Sequence, residues 1–146
     1  MPTPIREQLL AAITAAVGGE YGIPAPEDER DLPVTIVQDG TDEAGAQYGI
    51  SDWITPVAVA TAQAAVDTSA LTPTAARAAL RAQAHDMLAA LHQALNADAT
   101  FGGLADGFDE AGQGIQTEIG KFVFAELQIR VRWHHVRGNP YLIDDL

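Results

Sequence analysis

Hydrophobic residues near the start of the chain recur at the spacing of an α-helix. Its apolar face consists of Ile5, Leu9, Leu10, Ile13 and Val17. Thr3 is a candidate N-cap, and Pro4 suits the first helical position because its missing N–H would be unpaired there. We expect the helix to end at Gly18-Gly19, since glycine commonly follows a helix C-terminus.

A longer helical pattern follows in the second half of the chain. Thr72 is its candidate N-cap and Pro73 its first residue. One face carries Leu80, Ala84, Met87, Leu88, Leu91 and Leu95. Asn96 and Gly102-Gly103 close the pattern, which predicts an amphipathic helix of about five turns with one buried face.

Extended structure is predicted between the two helices. Residues 20–33 contain three prolines and the acidic run 27–29, which indicates a loop, whereas residues 34–37 are β-branched and favour a short strand. Residues 53–66 favour a second strand, with a helix over residues 58–66 as the alternative. Pro56 lacks an N–H, so we expect it at a sheet edge or strand start.

The longest β pattern lies near the end of the chain. Apolar residues occupy every second position, namely Val123, Ala125, Leu127, Ile129, Val131 and Trp133. Phe124, Glu126, Gln128, Arg130, Arg132 and His134 alternate with them. This pattern predicts an antiparallel strand with one side on the helices and the other exposed or facing a partner.

Weaker signals flank this strand. We expect a short strand over residues 104–110, a loop at Gly112-Gln113-Gly114 and a turn over residues 135–141. The order α-β-β-α-β-β predicts a two-layer α+β fold, in which an antiparallel sheet packs against two main helices. The length of 146 residues suits a single domain over residues 1–146.

Charge and composition exclude several classes of function. Eight Lys and Arg against 20 Asp and Glu give a net charge of −12, so the basic surface that grips nucleic-acid phosphates is not expected. The absence of cysteine excludes disulfides, thiolate zinc sites and thiol nucleophiles. Without a signal peptide or an apolar stretch of membrane-spanning length, we expect a soluble protein made in a reducing cytoplasm.

Motifs for catalysis are also missing. The chain contains no GxxxxGK[ST], GxGxxG or GxSxG pattern. His85 and His92 are too far apart along a helix to share a metal ion unaided, and His134 and His135 point to opposite faces of a strand. The acid pairs at 42–43, 109–110 and 144–145 fall in predicted loops. We therefore expect no enzyme activity, no metal and no cofactor.

The final strand and the corner after it resemble a known family. Arg130, Arg132 and Asn139-Pro140-Tyr141 match the end of tail-terminator, or tail-completion, proteins of long-tailed bacteriophages and gene transfer agents. In these proteins an arginine-alternating strand runs into an aromatic-plus-His corner and a Gly-Asp/Asn-Pro-Tyr turn. Residues 95–105 are similar to the family's exit from the second helix. The resemblance is best over residues 72–141, and Trp133 stands where an aromatic residue such as tyrosine is usual.

The resemblance implies a structural virion protein in the tail or neck, assembled in the host cytoplasm. Such proteins form a ring, usually a hexamer, that caps the tail tube and ends its polymerisation. The implied partners are other copies of the chain, the major tail tube protein, the head-side connector or stopper and the tape-measure protein. DNA would pass through the lumen without specific binding, and no membrane is involved.

A closed ring needs two different complementary patches on each subunit. Arg130 and Arg132 are candidates to meet carboxylates of the next subunit, and a solvated strand face is the alternative. The full set of candidate interface residues is Arg130, Arg132, Glu126, Tyr48, Trp53, Asn139 and Tyr141. For Trp53, core packing is the favoured alternative.

The acidity of the chain suggests how a ring would pass DNA. Acids that face the channel would repel phosphate over a Debye length, about 8–10 Å. The candidates lie in residues 27–31 and 39–43, and they are Glu27, Asp28, Glu29, Asp39, Asp42 and Glu43. The alternatives to a tail terminator are another neck or tail component, such as a head-completion, stopper or minor tail protein, or a small ligand-binding or enzymatic α+β domain.

Overall fold

The computed structural model describes residues 3–22, 33–45, 50–117 and 122–143. Its helices are α1 (Ile5–Val17) and α2 (Pro73–Asn96). Its strands are β1 (Glu20–Tyr21), β2 (Val34–Asp39), β3 (Glu43–Ala44), β4 (Ile50–Ala64), β5 (Gly107–Thr117) and β6 (Phe122–Val136). Apart from the two-residue strands β1 and β3, this is the predicted order of elements.

The strands form one mostly antiparallel sheet. Their order is β1-β2-β4-β6-β5, and β3 pairs with β4 beyond the end of β2. Only β1 runs parallel to its neighbour among the described pairs. The longest pairing joins β4 and β6 from Ile50↔Val136 to Ala64↔Phe122, so these two strands form the centre of the sheet.

Both helices pack on the same face of the sheet and form the core there. The alternate apolar residues of β6 from Val123 to Trp133 are at most 3% exposed. They join the predicted apolar faces of α1 and α2 in one cluster with Val57 and Val59 of β4. The α+β class and the two-layer arrangement are therefore confirmed.

The two helices begin differently. The Thr72 side chain accepts a hydrogen bond from the Ala75 N–H, as its sequence position predicts. The prediction that Thr3 caps α1 is wrong, because Pro4 is the N-cap residue and no side chain caps this end. The Ile5 N–H instead donates to the Pro140 carbonyl at 2.9 Å, so the C-terminal corner supplies the missing acceptor.

Strand β4 corrects two expectations. The helix alternative for residues 58–66 is wrong, since residues up to Ala64 continue the strand. Pro56 lies inside β4 and not at its start or at a sheet edge. The proline fits because it lies beyond the last β2 pair, Asp39↔Val57, where only the Gly40 N–H reaches its carbonyl.

Strand β5 is longer than predicted, and the expected loop at residues 112–114 is wrong. A β-bulge between Glu110 and Gly112 inserts Ala111, after which pairing with β6 continues to Thr117↔Val123. The glycines that suggest a turn here lie in the strand beyond the bulge. Residues 104–106, expected to begin the strand, precede it, and β6 includes His135 and Val136 from the predicted turn.

Candidate functional site

We call the side of the sheet opposite α1 and α2 the outer face. No helix of the described residues covers it, and it carries the polar half of the β6 alternation. Its central members are Ile54, Pro56 and Ala58 of β4, Glu126, Gln128, Arg130 and Arg132 of β6, and Asp109 of β5. The strict alternation of β6 therefore separates a sealed side from an open one.

Arg130 reaches across β4 to a carboxylate on the far side. Its backbone lies beside Pro56, and its guanidinium forms an ion pair with Glu43 of β3, which pairs with Ile54. The two side chains are 47% and 66% exposed, respectively. The ion pair thus spans the apolar outer residues of β4 while both charges remain in contact with water.

Arg132 has a looser partner on the opposite side. Its Nε lies 3.4 Å from an Asp109 carboxylate oxygen, and the side chains are 48% and 69% exposed. Gly107 lies opposite Arg132, and a Cβ there would be 3.0 Å from the guanidinium. Both arginines expected to meet a neighbouring subunit therefore already have a carboxylate partner within the chain.

A depression of about 350 Å³ lies where Arg130 spans the sheet. Ile54, Pro56 and Ala58 are among the residues that form its apolar part. Arg130 and Glu43 also line it, together with the exposed amide of Gln128. The outer face therefore combines an apolar centre with an ionic border, which is the composition of a protein interface.

A second groove, of about 470 Å³, lies nearer the end of the sheet. Asp52, Asp106, Arg132 and His134 line it. The His134 Nδ1 atom lies 2.9 Å from an Asp106 carboxylate oxygen, while His135 points to the helix side. Within the described ranges no three His, Asp or Glu side chains are arranged to hold a metal ion.

Trp53 lies on the helix side of the sheet, although it is a candidate interface residue. Its ring stacks on Trp133 with centroids 6.5 Å apart, and its Nε1–H donates to the His135 Nε2 at 3.1 Å. Trp53 is partly buried and packs against the core. This position corresponds to the core-packing alternative for Trp53.

The other candidate interface residues that the structure describes lie in two places. Glu126 is half-buried on the outer face, with the Gln128 amide 3.5 Å away. Tyr141 is 41% exposed at the C-terminal corner, where its N–H donates to the Asn139 side chain. Tyr48 lies outside the described residues.

The three candidate channel acids within the described residues, Asp39, Asp42 and Glu43, do not share one partner. Glu27, Asp28 and Glu29 lie outside the described residues, and Glu43 is the outer-face partner of Arg130. Asp39 and Asp42 instead bind Arg6 of α1, at 2.6 and 2.9 Å. The negative charge of these two acids is therefore partly compensated by a guanidinium.

The contacts around Arg6 change the pKa values of three groups. The hydrogen bond to Asp42 raises the pKa of Arg6. Burial raises the pKa of Asp39, but hydrogen bonds from Tyr21 and Arg6 outweigh it and hold the pKa below its usual value. The same hydrogen bond to Asp39 raises the pKa of the Tyr21 phenol. Asp39 therefore favours its charged form.

Thr55 connects this ionic group to the core, and it is absent from the sequence-based candidates. Its hydroxyl accepts from the Trp133 indole N–H and donates to an Asp42 carboxylate oxygen, each at 2.8 Å. Thr55 is 2% exposed, and its hydroxyl satisfies the buried Trp133 indole N–H while it binds the partly exposed Asp42 carboxylate. Two threonines, Thr55 and Thr61, stand among the inward positions of β4, and the sequence does not identify the partners of either hydroxyl.

His92 joins α2 to the bulge in β5. Its ring nitrogens lie 2.9 Å from a Glu110 oxygen and 2.8 Å from the Gln113 side-chain oxygen. Glu110 immediately precedes the inserted Ala111, and Gln113 follows it by two residues. His92, which is too far from His85 to share a metal ion with it unaided, thus links α2 to the edge strand.

Comparisons with known proteins give likenesses to solved structures. No family model matches the chain, and no curated protein matches it. A chain from the virion of a native gene transfer agent particle aligns over 90% of this chain and 92% of its own length, with 14% identity and a TM-score of 0.36. No helix of the described residues is long and apolar enough to span a membrane.

Proposed function

We propose that the chain is a structural virion protein that acts by self-association, as a tail terminator of a long-tailed phage or gene transfer agent. The observation that carries the proposal is the open outer face of the sheet. There an apolar centre at Ile54, Pro56 and Ala58 is bordered by two half-exposed arginines. The resemblance of the final strand and corner to the terminator family supports it from the sequence.

The arrangement suits a ring because ring closure uses a head-to-tail contact. Such a contact joins two different patches, and the outer face supplies the patch with exposed guanidinium groups. The remaining surface is rich in carboxylates, since 20 acids stand against eight Lys and Arg residues. A second copy therefore offers many carboxylates to Arg130 and Arg132, which favours encounter and orientation more than affinity.

The proposed ring has about six subunits. The ring caps the tail tube, binds the major tail tube protein on one side and the head-side connector on the other, and meets the tape-measure protein. DNA passes through the lumen without specific contacts, helped by the net charge of −12. The chain acts as one domain in the virion, without catalysis or a cofactor.

Electron micrographs of the purified chain, alone and mixed with tail tubes, test the proposal. We expect closed rings of about six subunits, either at high protein concentration or at the ends of tubes, and a native mass that agrees with the ring. A chain that stays monomeric under both conditions and binds a metabolite in the depression near Pro56 would contradict it. Rings that bind head proteins but not tubes would instead indicate another neck component.

A further inference from the structure

The two arginines of the outer face are occupied by the chain's own carboxylates. Arg130 pairs with Glu43, and Arg132 pairs with Asp109. Each pair joins different strands, β6 with β3 and β6 with β5. A neighbouring subunit that uses these guanidinium groups must therefore share or displace Glu43 and Asp109.

We propose that these two ion pairs are assembly latches, which keep the free chain from associating until a second copy supplies replacement carboxylates. This inference rests on the proposed function and names its regulation. The latches hold the arginines within their own subunit, and assembly exchanges internal partners for external ones. Each arginine keeps one ion pair in the exchange, while Glu43 and Asp109 are released to water.

The Arg130 latch also controls access to the apolar centre of the outer face. The pair runs over β4 between its two attachment points, Arg130 opposite Pro56 and Glu43 opposite Ile54. Both partners line the same depression of about 350 Å³ as Ile54 and Pro56. Opening the pair uncovers apolar surface at the place where the guanidinium becomes available, which couples the ionic and the apolar parts of the contact.

The exposure of the pairs makes such a latch weak enough to open. The carboxylates are 66% and 69% exposed, so water and salt compete with the guanidinium groups. Exposed pairs of this kind change an equilibrium only modestly. A latch of this strength delays association at low concentration and yields to a surface that offers several contacts at once.

The occupant we propose is a second copy of the chain. Two of its eight Lys and Arg residues lie together on this face, whereas its 20 acids make carboxylates the commonest charged group of any facing copy. A basic partner, such as a nucleic acid-binding segment, would meet Arg130 and Arg132 with like charge. The charge balance therefore favours self-association over a basic partner.

The test compares the association of the full chain with that of the double variant Glu43→Gln and Asp109→Asn, by sedimentation over a range of concentrations. A matched control, Glu7→Gln with Asp86→Asn, removes two exposed acids from the helix layer. We expect the latch variant to half-assemble at a concentration roughly 2- to 30-fold lower than the control does, the range that two exposed pairs permit. The near-ultraviolet circular dichroism of Trp53 and Trp133 checks that each variant is folded.

The possible outcomes distinguish failure of the latch from failure of the proposed self-association. Association of the latch variant at the same or a higher concentration than the control overturns the latch, provided that Arg130→Glu with Arg132→Glu prevents association. If that arginine variant associates as wild type does, or no variant associates at all, the proposed function fails and the latch with it. If the latch variant associates at a lower concentration than the control, and the arginine variant does not associate, the result supports both the latch and the proposed function.

Discussion

The two sides of strand β6 differ in their interactions, which are apolar packing on the helix side and exposed ion pairs on the outer side. On the helix side, alternate residues from Val123 to Trp133 are sealed into one apolar core. On the outer side, Gln128, Arg130 and Arg132 are exposed, and the two arginines bind carboxylates from other strands. Folding therefore depends on one side of the strand, and the other side is left free for association.

The largest loss of stability is expected from a substitution on the helix side of β6. Leu127→Ala removes a side chain that is 1% exposed and leaves a cavity, so the free energy of unfolding should fall by about 2–5 kcal/mol. Gln128→Ala, one residue further on and exposed, should change it by no more than about 0.5 kcal/mol. Denaturant midpoints measure both, and equal losses at the two positions would contradict the division between the sides.

The next effect concerns the buried Thr55 hydroxyl, which lies between the Trp133 indole and Asp42. Thr55→Val leaves the Trp133 indole N–H without its acceptor, so the free energy of unfolding should fall by about 1–3 kcal/mol. Thr55→Ser keeps the hydroxyl and serves as the control. Calorimetric unfolding of the two variants checks this, and a larger loss in the serine variant would show that the methyl group matters more than the hydrogen bonds.

A smaller effect distinguishes the two helix starts. Thr72→Ala removes the cap of α2 and should cost about 0.5–2 kcal/mol of unfolding free energy. Thr3→Ala should cost almost nothing, since the Pro140 carbonyl serves the first N–H of α1. Thermal unfolding of both variants tests the contrast, and a large loss from Thr3→Ala would mean that the sequence-based cap assignment was right.

The smallest effect depends on pH. Because contacts with Tyr21 and Arg6 hold the pKa of Asp39 below its unfolded value, its ionised form stabilises the fold. That contribution is complete above the unfolded value, about 3.9, and is lost as the pH falls through the lowered folded pKa. Asp39→Asn should therefore lose less stability than wild type between pH 6 and pH 3, measured by urea unfolding. Asp86→Asn controls for the removal of one charge, and an unchanged acid loss in Asp39→Asn would contradict the assignment.

The sequence predicted those parts of the fold that depend on periodic burial. The apolar stripe from Leu80 to Leu95 and the alternation of β6 each repeat often enough to identify both element and face. The predicted strand ends at residue 110 because Gly112 and Gly114 resemble a turn. In the structure these glycines lie in β5 beyond the bulge. Pro56 was expected at an edge because its pairing depends on where β2 ends, which no local pattern reveals.

The candidate site was less predictable for a physical reason. The alternation placed Arg130 and Arg132 on an exposed face, and they lie there. Their partners depend on tertiary pairing: Glu43 precedes Arg130 by 87 residues, and Arg6 reaches Asp42 over 36. From the sequence, Glu43 is a candidate channel acid and Arg130 a candidate interface residue, yet the fold brings them into one ion pair.

The proposed self-association depends most on the positive charge that Arg130 and Arg132 place on the outer face. The measurement that tests it most directly is the native mass of Arg130→Glu with Arg132→Glu beside that of wild type, under conditions in which wild type forms rings. We expect a monomer with unchanged circular dichroism and an unfolding midpoint close to that of wild type. Rings of wild-type mass from the double variant would contradict self-association through this face.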